Sequence, residues 1–331
     1  MTDTTRIVYI GGFGRSGSTL FERALSRVDG FCSVGEVRHI WDRSFAENQL
    51  CGCGRPFREC EFWQAVVREA FGGFDQVDTA NMVRLKHAVD RTRYIPAMIA
   101  GRSGGYHHRF AEYAEVLRRL YGGIRKVSGC RLVIDSSKEP SYGFILRGLA
   151  DIDLSVIHLV RDSRAVAFSW LKKKERPEIH WKRAFMAQHS PFGSSIHWLA
   201  FNALTHGLKR FGCRYLRVYY EDFAHDPAAI LRQVLDFLDE PAHSLGFIHG
   251  HALTLGVDHT ASGNPMRFRT GTVEISPDEE WRTRMEPGDR RLVTACTAPG
   301  LLGYGYWQPA TERLARRLKP AKSPLPLGGE G

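Results

Sequence analysis

The glycine-rich segment at residues 12–19, GFGRSGST, constrains the fold more than any other part of the chain. It follows the apolar run IVYI at residues 7–10, which is typical of a buried strand, and the spacing of apolar residues predicts a helix from about Gly17 to near Gly30. A strand, a tight turn and a helix in this order present backbone N–H groups and the positive end of the helix dipole to an anion. The segment therefore predicts a phosphate-binding loop.

One position departs from the common pattern G-x-x-x-x-G-K-[ST], because Ser18 stands where the pattern has lysine. In nucleoside triphosphatases that lysine neutralises the terminal phosphates, and a metal ion bridges them. Here the cation is Arg15, the hydroxyls of Ser16, Ser18 and Thr19 add donors, and the turn contains Gly17. This set favours a ligand with fewer negative charges and no metal ion. A tight turn that binds nothing is the alternative.

Further apolar runs of strand length predict a parallel sheet. Helical segments separate them, which indicates helices on both faces and an α/β fold. The segment at about residues 61–127 carries three amphipathic pieces and is interpreted as a helical insertion. We expect residues 1–310 to form a single domain and residues 311–331 to be a basic, Pro/Gly-rich disordered tail. The later predicted strands lie at residues 31–34, 131–135, 154–160 and 215–219.

A second anion site is predicted in HLVRDSRAVAFSW, residues 158–170. Arg161 leaves the carboxyl end of a predicted strand, and Ser169 follows about two helical turns later. The pair could bind another phosphate, Arg161 through charge-assisted hydrogen bonds and Ser169 through its hydroxyl. The alternative is that Arg161 donates to helix carbonyls or pairs with Asp162.

Together the two segments resemble the donor site of sulfotransferases. Residues 15–19, RSGST, resemble their 5′-phosphosulfate loop, and Arg161 with Ser169 resembles their 3′-phosphate motif at the same spacing. The resemblance extends to about Tyr306 and is strongest to bacterial sulfotransferases whose loop is also similar to that of tyrosylprotein sulfotransferases. It implies a P-loop-like three-layer fold, 3′-phosphoadenosine 5′-phosphosulfate (PAPS) as donor, 3′,5′-ADP as product and no metal requirement. The expected reaction is in-line transfer of a sulfuryl group to a hydroxyl of a small-molecule, glycan or glycolipid acceptor.

The same resemblance suggests residues for the transfer step. Glu36 in SVGEVRHI matches the catalytic glutamate of the tyrosylprotein-type enzymes and is predicted to be the general base. A surface contact with Arg38 is the alternative, and His39 is the reserve base. Lys138 in VIDSSKEP ends a predicted strand, and with Arg15 it is expected to stabilise charge on the departing phosphate.

Two other functions stay open at this point. The run LVID also fits a strand with a magnesium-binding aspartate, Asp135, so an ATP- and magnesium-dependent P-loop small-molecule kinase is the main alternative. A non-enzymatic anion-binding module is the second. Late in the chain, Arg267 and Arg269 alternate, which would put both on one side of an extended segment. By resemblance to the late donor-binding loop they are expected to contact the 3′-phosphate or the adenosine.

Cys51, Cys53 and Cys60 invite a metal interpretation but lack an obvious fourth ligand in the sequence. Free thiols or a conditional disulfide are therefore favoured over zinc. The segment at residues 178–202, rich in histidine and tryptophan, could wall the acceptor pocket.

Composition limits the class of partner. The 331-residue chain has a formal net charge of +10, and residues 312–322 supply several of the cations. The remaining excess suits an anionic small ligand better than a nucleic acid. No apolar run reaches the roughly 18 residues of a membrane span. The start of the chain does not read as a signal peptide and the seven cysteines are an odd number, so we expect a cytoplasmic protein. Weak contact of the tail with a membrane surface, and the oligomeric state, are left open.

Overall fold

A five-stranded parallel sheet forms the centre of the structure, a computed structural model that describes residues 4–100, 104–240 and 243–308. Its strands are β1 (Thr5–Gly11), β2 (Phe31–Gly35), β3 (Leu132–Lys138), β4 (Ile152–Val160) and β5 (Arg214–Tyr219). They lie in the order β2-β3-β1-β4-β5, and every neighbouring pair is parallel. The α/β class and the parallel sheet predicted from the sequence are confirmed. The tail predicted at residues 311–331 lies outside the described residues.

Side chains of β1 alternate between two hydrophobic cores. Ile7 and Tyr9 belong to one core, and Val8 and Ile10 belong to the other. All four are almost completely buried. Because helices cover both faces of the sheet, the strand reads as a continuous apolar run rather than as an alternating one.

Twelve α-helices lie around the sheet in the described residues, and four of them occupy the region predicted to be helical between about residues 61 and 127. The helices are α1 (Ser18–Leu25), α2 (Glu61–Phe71), α3 (Thr79–Val89), α4 (Ile95–Ala100), α5 (Gly105–Ser128), α6 (Pro140–Arg147), α7 (Ser163–Leu171), α8 (Pro191–Arg210), α9 (Tyr220–His225), α10 (Pro227–Phe237), α11 (Glu280–Arg284) and α12 (Pro287–Gly303). That residues 61–127 are an insertion, and that residues 1–310 form one domain, stay predictions. No helix in the described part of the chain is long and apolar enough to cross a membrane.

Helix α1 is shorter than predicted. It ends at Leu25 rather than near Gly30, because the amides of Arg27 and Val28 bond to carbonyls only three residues back and tighten the last turn. Its start agrees with the prediction: Gly17 is the N-cap, with a φ of 84°. A Cβ at Gly17 would lie 2.2 Å from the ring of Tyr220, so only glycine fits this close approach.

A small antiparallel sheet positions the last loop of the site. It consists of β6 (Ile248–His249), β7 (Ala252–Leu255) and β8 (Gly271–Glu274). The loop at residues 258–264 follows β7 and lies against the end of β2, where the Ala261 amide donates to Val34 O at 2.9 Å and the Glu36 amide donates to Ser262 O at 3.0 Å. This loop therefore fixes the backbone at Glu36.

Candidate active site

A cavity of about 510 Å³ opens where the central strands end. It collects residues from the glycine-rich turn after β1, from the ends of β2 and β3, and from the segment after β4, because parallel strands bring their carboxyl ends to one edge of the sheet. The predicted site residues that line it are Arg15, Gly17, Ser18, Thr19, Glu36, Lys138, Arg161 and Ser169. Ser16 lies below the surface of the loop, where its hydroxyl donates to Phe13 O at 2.7 Å.

Arg15 has a strained backbone and buried donors without partners. Its φ of 71° lies in the left-handed region, which costs a non-glycine residue about 1–3 kcal/mol and is typical of functional sites. Its Nε and Nη2 are buried and make no hydrogen bond within the described residues, while the guanidinium stacks over Trp170 at 4.7 Å. Burial lowers the pKa of Arg15, and the Glu36 carboxylate partly offsets this. These donors fit an anionic ligand.

Glu36 and Lys138 form an ion pair on the cavity wall. Lys138 Nζ donates to Glu36 Oε1 at 2.5 Å and to Ser136 O at 2.9 Å. Lys138 has a φ of 65°, so it shares with Arg15 the left-handed backbone that L-residues rarely adopt. Burial alone would raise the pKa of Glu36, but Lys138 and Arg43 outweigh it and lower the pKa. Glu36 is therefore ionised at neutral pH.

Two further groups face the second oxygen of Glu36. His39 Nε2 and Arg43 Nη1 each lie 3.7 Å from Glu36 Oε2. Burial, together with Arg43 and the other cations around it, lowers the pKa of His39 well below its ordinary value, so the imidazole is neutral. Arg38 points elsewhere and pairs with Asp90 at 2.7 Å, which removes the surface contact considered for Glu36.

Arg161 lies next to the phosphate-loop backbone. Its Nη1 donates to Arg15 O at 2.9 Å, its Nη2 pairs with Asp278 at 2.7 Å, and its guanidinium packs over the Tyr220 ring at 4.6 Å. The pairing with Asp162 that was considered as an alternative does not occur. Asp162 instead caps α7 and binds Arg164.

Arg267 and Arg269 are not brought to the cavity, which contradicts the extended conformation expected for them. Residues Pro265–Phe268 form a 3-10 turn, so the two side chains do not share a side. Arg267 is buried and donates to Thr260 O at 2.9 Å and to Leu50 O at 2.7 Å, which makes it a link between loops. Neither arginine lines the cavity.

Asp135 does not face the cavity either. It is fully buried and accepts hydrogen bonds from Ser137 N at 2.7 Å, from the Ser137 hydroxyl and from the Tyr121 hydroxyl. Burial raises its pKa to about 6. A carboxylate enclosed by internal donors is poorly placed to hold the magnesium ion of the kinase alternative.

Several lining residues were missed by sequence reasoning. Asp278 and Lys174 line the cavity but lie outside the predicted motifs, and no local pattern marks them. Arg43 lies in a π-helical segment, Ile40–Ala46, whose spacing does not fit an ordinary helix. A search for apolar residues with the 3.6-residue period of an α-helix could therefore not have located Arg43.

The aromatic segment after α7 contributes part of the cavity wall. His189 and His197 line the cavity with Trp170, and the His197 ring stacks on Phe13 with 6.1 Å between centroids. Other members of the predicted segment lie elsewhere. Trp198 is buried and donates to Arg161 O at 2.9 Å, whereas Trp181 is exposed.

The three cysteines of the C-x-C-x6-C segment do have a fourth ligand candidate. Ligand atoms of Cys51, Cys53, Cys60 and His259 lie within 4.8 Å of one another. The sequence could not indicate this, because His259 is 199 residues from Cys60.

The chain belongs to the sulfotransferase family. The sequence profile described as "Sulfotransferase family" matches residues 8–244, which include the phosphate loop, Glu36, Lys138 and the Arg161 segment. A comparison with curated protein sequences finds no significant match.

The solved structures that this chain is distantly similar to include three described as sulfotransferases. The sulfotransferase domain of the Synechococcus PCC 7002 olefin synthase is 18% identical, with 90% of this chain and 96% of that chain covered and a TM-score of 0.46. A sulfotransferase from Alicyclobacillus acidocaldarius is 16% identical, with coverages of 92% and 98% and a TM-score of 0.41. One from Mycobacterium avium is 12% identical, with coverages of 92% and 77% and a TM-score of 0.44. These similarities are too distant to assign site residues, and the family assignment depends on the sequence match.

Proposed function

We propose that this protein transfers a sulfuryl group from PAPS to a hydroxyl of a small-molecule, glycan or glycolipid acceptor. The observation that carries the proposal is the direct contact between the two predicted anion sites. Arg161 Nη1 lies 2.9 Å from Arg15 O, and both residues line one cavity with the Glu36–Lys138 pair. One nucleotide with a phosphate at each end could span such a cavity, with Ser169 and Arg161 at its 3′-phosphate and residues 15–19 at its 5′ end.

The residues of the wall suggest how each would act. Glu36 is ionised and can accept the proton of the acceptor hydroxyl. Lys138 and Arg15 would stabilise the charge that builds on the departing phosphate oxygen. The Glu36–Lys138 ion pair suggests an order of events. When Lys138 turns to the donor, Glu36 loses its main stabilising charge and becomes a stronger base.

The position of the aromatic wall supports an acceptor of moderate size. Trp170, His189 and His197 lie beside the phosphate loop, and flat apolar faces of this kind can stack on a sugar or an aromatic ring. A cytoplasmic location is part of the proposal.

The kinase alternative is not favoured, because the family match points to sulfuryl transfer and Asp135 is enclosed by its own donors.

An assay with radiolabelled PAPS and a panel of sugars, phenols and glycolipids tests the proposal. We expect label to appear in at least one hydroxyl acceptor without added magnesium. Labelling from γ-labelled ATP with magnesium, and none from PAPS, would contradict the proposal.

A further inference from the structure

We propose that Cys51, Cys53, Cys60 and His259 bind one zinc ion, which ties the two loops that carry them together. The inference comes from the cysteine segment and its surroundings. It does not depend on the identity of the donor or the acceptor.

The distances between ligand atoms are those of a metal site rather than of a disulfide. Cys53 Sγ and Cys60 Sγ are 3.7 Å apart, and Cys60 Sγ lies 3.3 Å from His259 Nδ1. A tetrahedron with Zn–S bonds of about 2.3 Å and a Zn–N bond of about 2.0 Å has S···S edges of about 3.8 Å and S···N edges of about 3.5 Å. A disulfide would need its sulfurs at about 2.05 Å.

The backbone around the cysteines holds their sulfurs on one side. A tight turn closes through Gly54 N to Cys51 O at 2.8 Å, and Gly54 has a φ of 85° that favours glycine. The amide of Cys51 donates to Arg55 O, also at 2.8 Å. Cys60 directly precedes α2, so its sulfur can face the turn.

The imidazole of His259 is held in position by neighbours that leave Nδ1 facing the sulfurs. The Phe62 ring stacks on it with 5.0 Å between centroids and an angle of 20°, and Trp63 Nε1 donates to its backbone oxygen at 2.8 Å. These two contacts fix the ring and the backbone of His259. Cys51 and Cys60 are buried, whereas Cys53 and His259 are partly exposed and leave a path for the ion.

The chemistry of the set selects zinc. Three thiolates and one imidazole in four-coordinate geometry are the ligands of structural zinc sites, whereas magnesium and calcium prefer oxygen. On binding, three thiols release their protons to solvent, and the neutral imidazole donates its lone pair. The protein would supply all four ligands of the ion. The ion would therefore have a structural role, with no open coordination position for a substrate.

The ion would fix the loop at residues 258–264 against the site. Gly52 N donates to Thr260 O at 3.0 Å, and Ser262 O accepts from the amide of Glu36. Arg43, which faces Glu36, also bonds to Ser262 Oγ at 2.9 Å. The zinc would thereby join chain segments about 200 residues apart next to the proposed base.

Metal analysis of the full chain tests the proposal. The protein is produced in zinc-supplemented medium, purified with a thiol reductant and without a metal-affinity tag, and compared with Cys53→Ser and His259→Ala. Cys213→Ser, a half-buried cysteine outside the cluster, is the matched control. We expect about one zinc per chain in the wild type and in Cys213→Ser, and at least about tenfold less in the two ligand variants.

A second measurement on the wild type covers the case in which the ligand variants fail to fold. After exchange of the bound metal for cobalt, we expect thiolate-to-cobalt charge-transfer absorption and the visible bands of tetrahedral cobalt. Wild-type protein with less than about one-tenth of an equivalent of zinc and without these bands would overturn the proposal. So would a disulfide between any two of the three cysteines in protein alkylated before digestion.

Discussion

The two ends of the cavity are built differently. At the transfer end, the partly buried Glu36 carboxylate has three neighbours: the Lys138 and Arg43 cations and the neutral His39 imidazole. At the anchoring end, Arg161 lies between Tyr220 and Asp278, and a single carboxylate occupies the face that a phosphate would need. Both ends hold a cation against an internal carboxylate, but with different consequences: moving Lys138 to the donor would free the proposed base Glu36, whereas Asp278 would compete with the incoming phosphate for Arg161.

Of the variants predicted here, Glu36→Gln should have the largest effect, because it changes the proposed base at the transfer end. The amide cannot accept a proton, so we expect sulfuryl transfer to fall by about 10²–10⁴-fold while donor affinity changes little. Steady-state kinetics with PAPS measures this. Glu274→Gln, an exposed glutamate on β8, is the control and should keep wild-type turnover. Normal turnover of Glu36→Gln would show that another group is the base, and His39→Ala is then the variant to measure.

Arg161→Ala should act on the anchoring end and mainly weaken donor binding. Loss of charge-assisted hydrogen bonds to the 3′-phosphate predicts a rise in Kd for 3′,5′-ADP of about 10–100-fold, with a smaller fall in kcat. Calorimetry of nucleotide binding is the measurement, with the exposed Arg210→Ala as control. An unchanged Kd in Arg161→Ala would remove Arg161 from the donor site.

We expect Glu22, which lies in α1, to make the free energy of unfolding depend on pH. It is fully buried in α1, and burial raises its pKa from 4.5 to about 8. An acid whose folded pKa lies above its unfolded one stabilises the fold fully below the unfolded value, and that contribution is lost as pH rises through the folded value. We therefore expect the free energy of unfolding to decline between about pH 5 and pH 8, on the order of a few kcal/mol.

Glu22→Gln should abolish that decline, because the amide keeps the shape and does not titrate. Urea denaturation at pH 6 and pH 8.5 measures it, and Glu274→Gln should retain the wild-type slope. The same slope in Glu22→Gln and wild type would place the titration elsewhere.

Asp278→Asn should produce the smallest effect. It tests whether Asp278 competes with a phosphate at the anchoring end. Burial would raise the pKa of Asp278, but Arg161 lowers it, so the carboxylate is charged and competes with an incoming phosphate. Its removal is expected to strengthen 3′,5′-ADP binding by a few-fold, which calorimetry can resolve. Weaker binding would mean that Asp278 positions Arg161 rather than blocks it.

The sequence predicts the parts of this molecule that depend on local patterns. The strand, glycine turn and helix at residues 5–25, the parallel sheet and the placement of Arg161 at the end of β4 all follow from apolar runs and turn residues. Glu36 and Lys138 line the cavity because one follows β2 and the other ends β3, and Ser169 lines it from α7, which begins just after β4.

The features of the site that the sequence did not predict depend on contacts between segments that are distant in the chain. Asp278 faces Arg161 across 117 residues, and His259 joins the cysteines only because the loop at residues 258–264 packs on β2. The alternation of Arg267 and Arg269 was misleading, since a local 3-10 turn replaced the extended segment and Arg267 found backbone carbonyls inside the protein. No pattern of neighbouring residues carries such information.

The central claim, that the two anion sites hold one nucleotide phosphorylated at both ends, is tested most directly by calorimetry with 3′,5′-ADP and with 5′-AMP, without added magnesium. The account predicts that 3′,5′-ADP binds at least about tenfold more tightly than 5′-AMP, and that Arg161→Ala removes the difference. Equal affinities of the wild-type protein for the two nucleotides would contradict it.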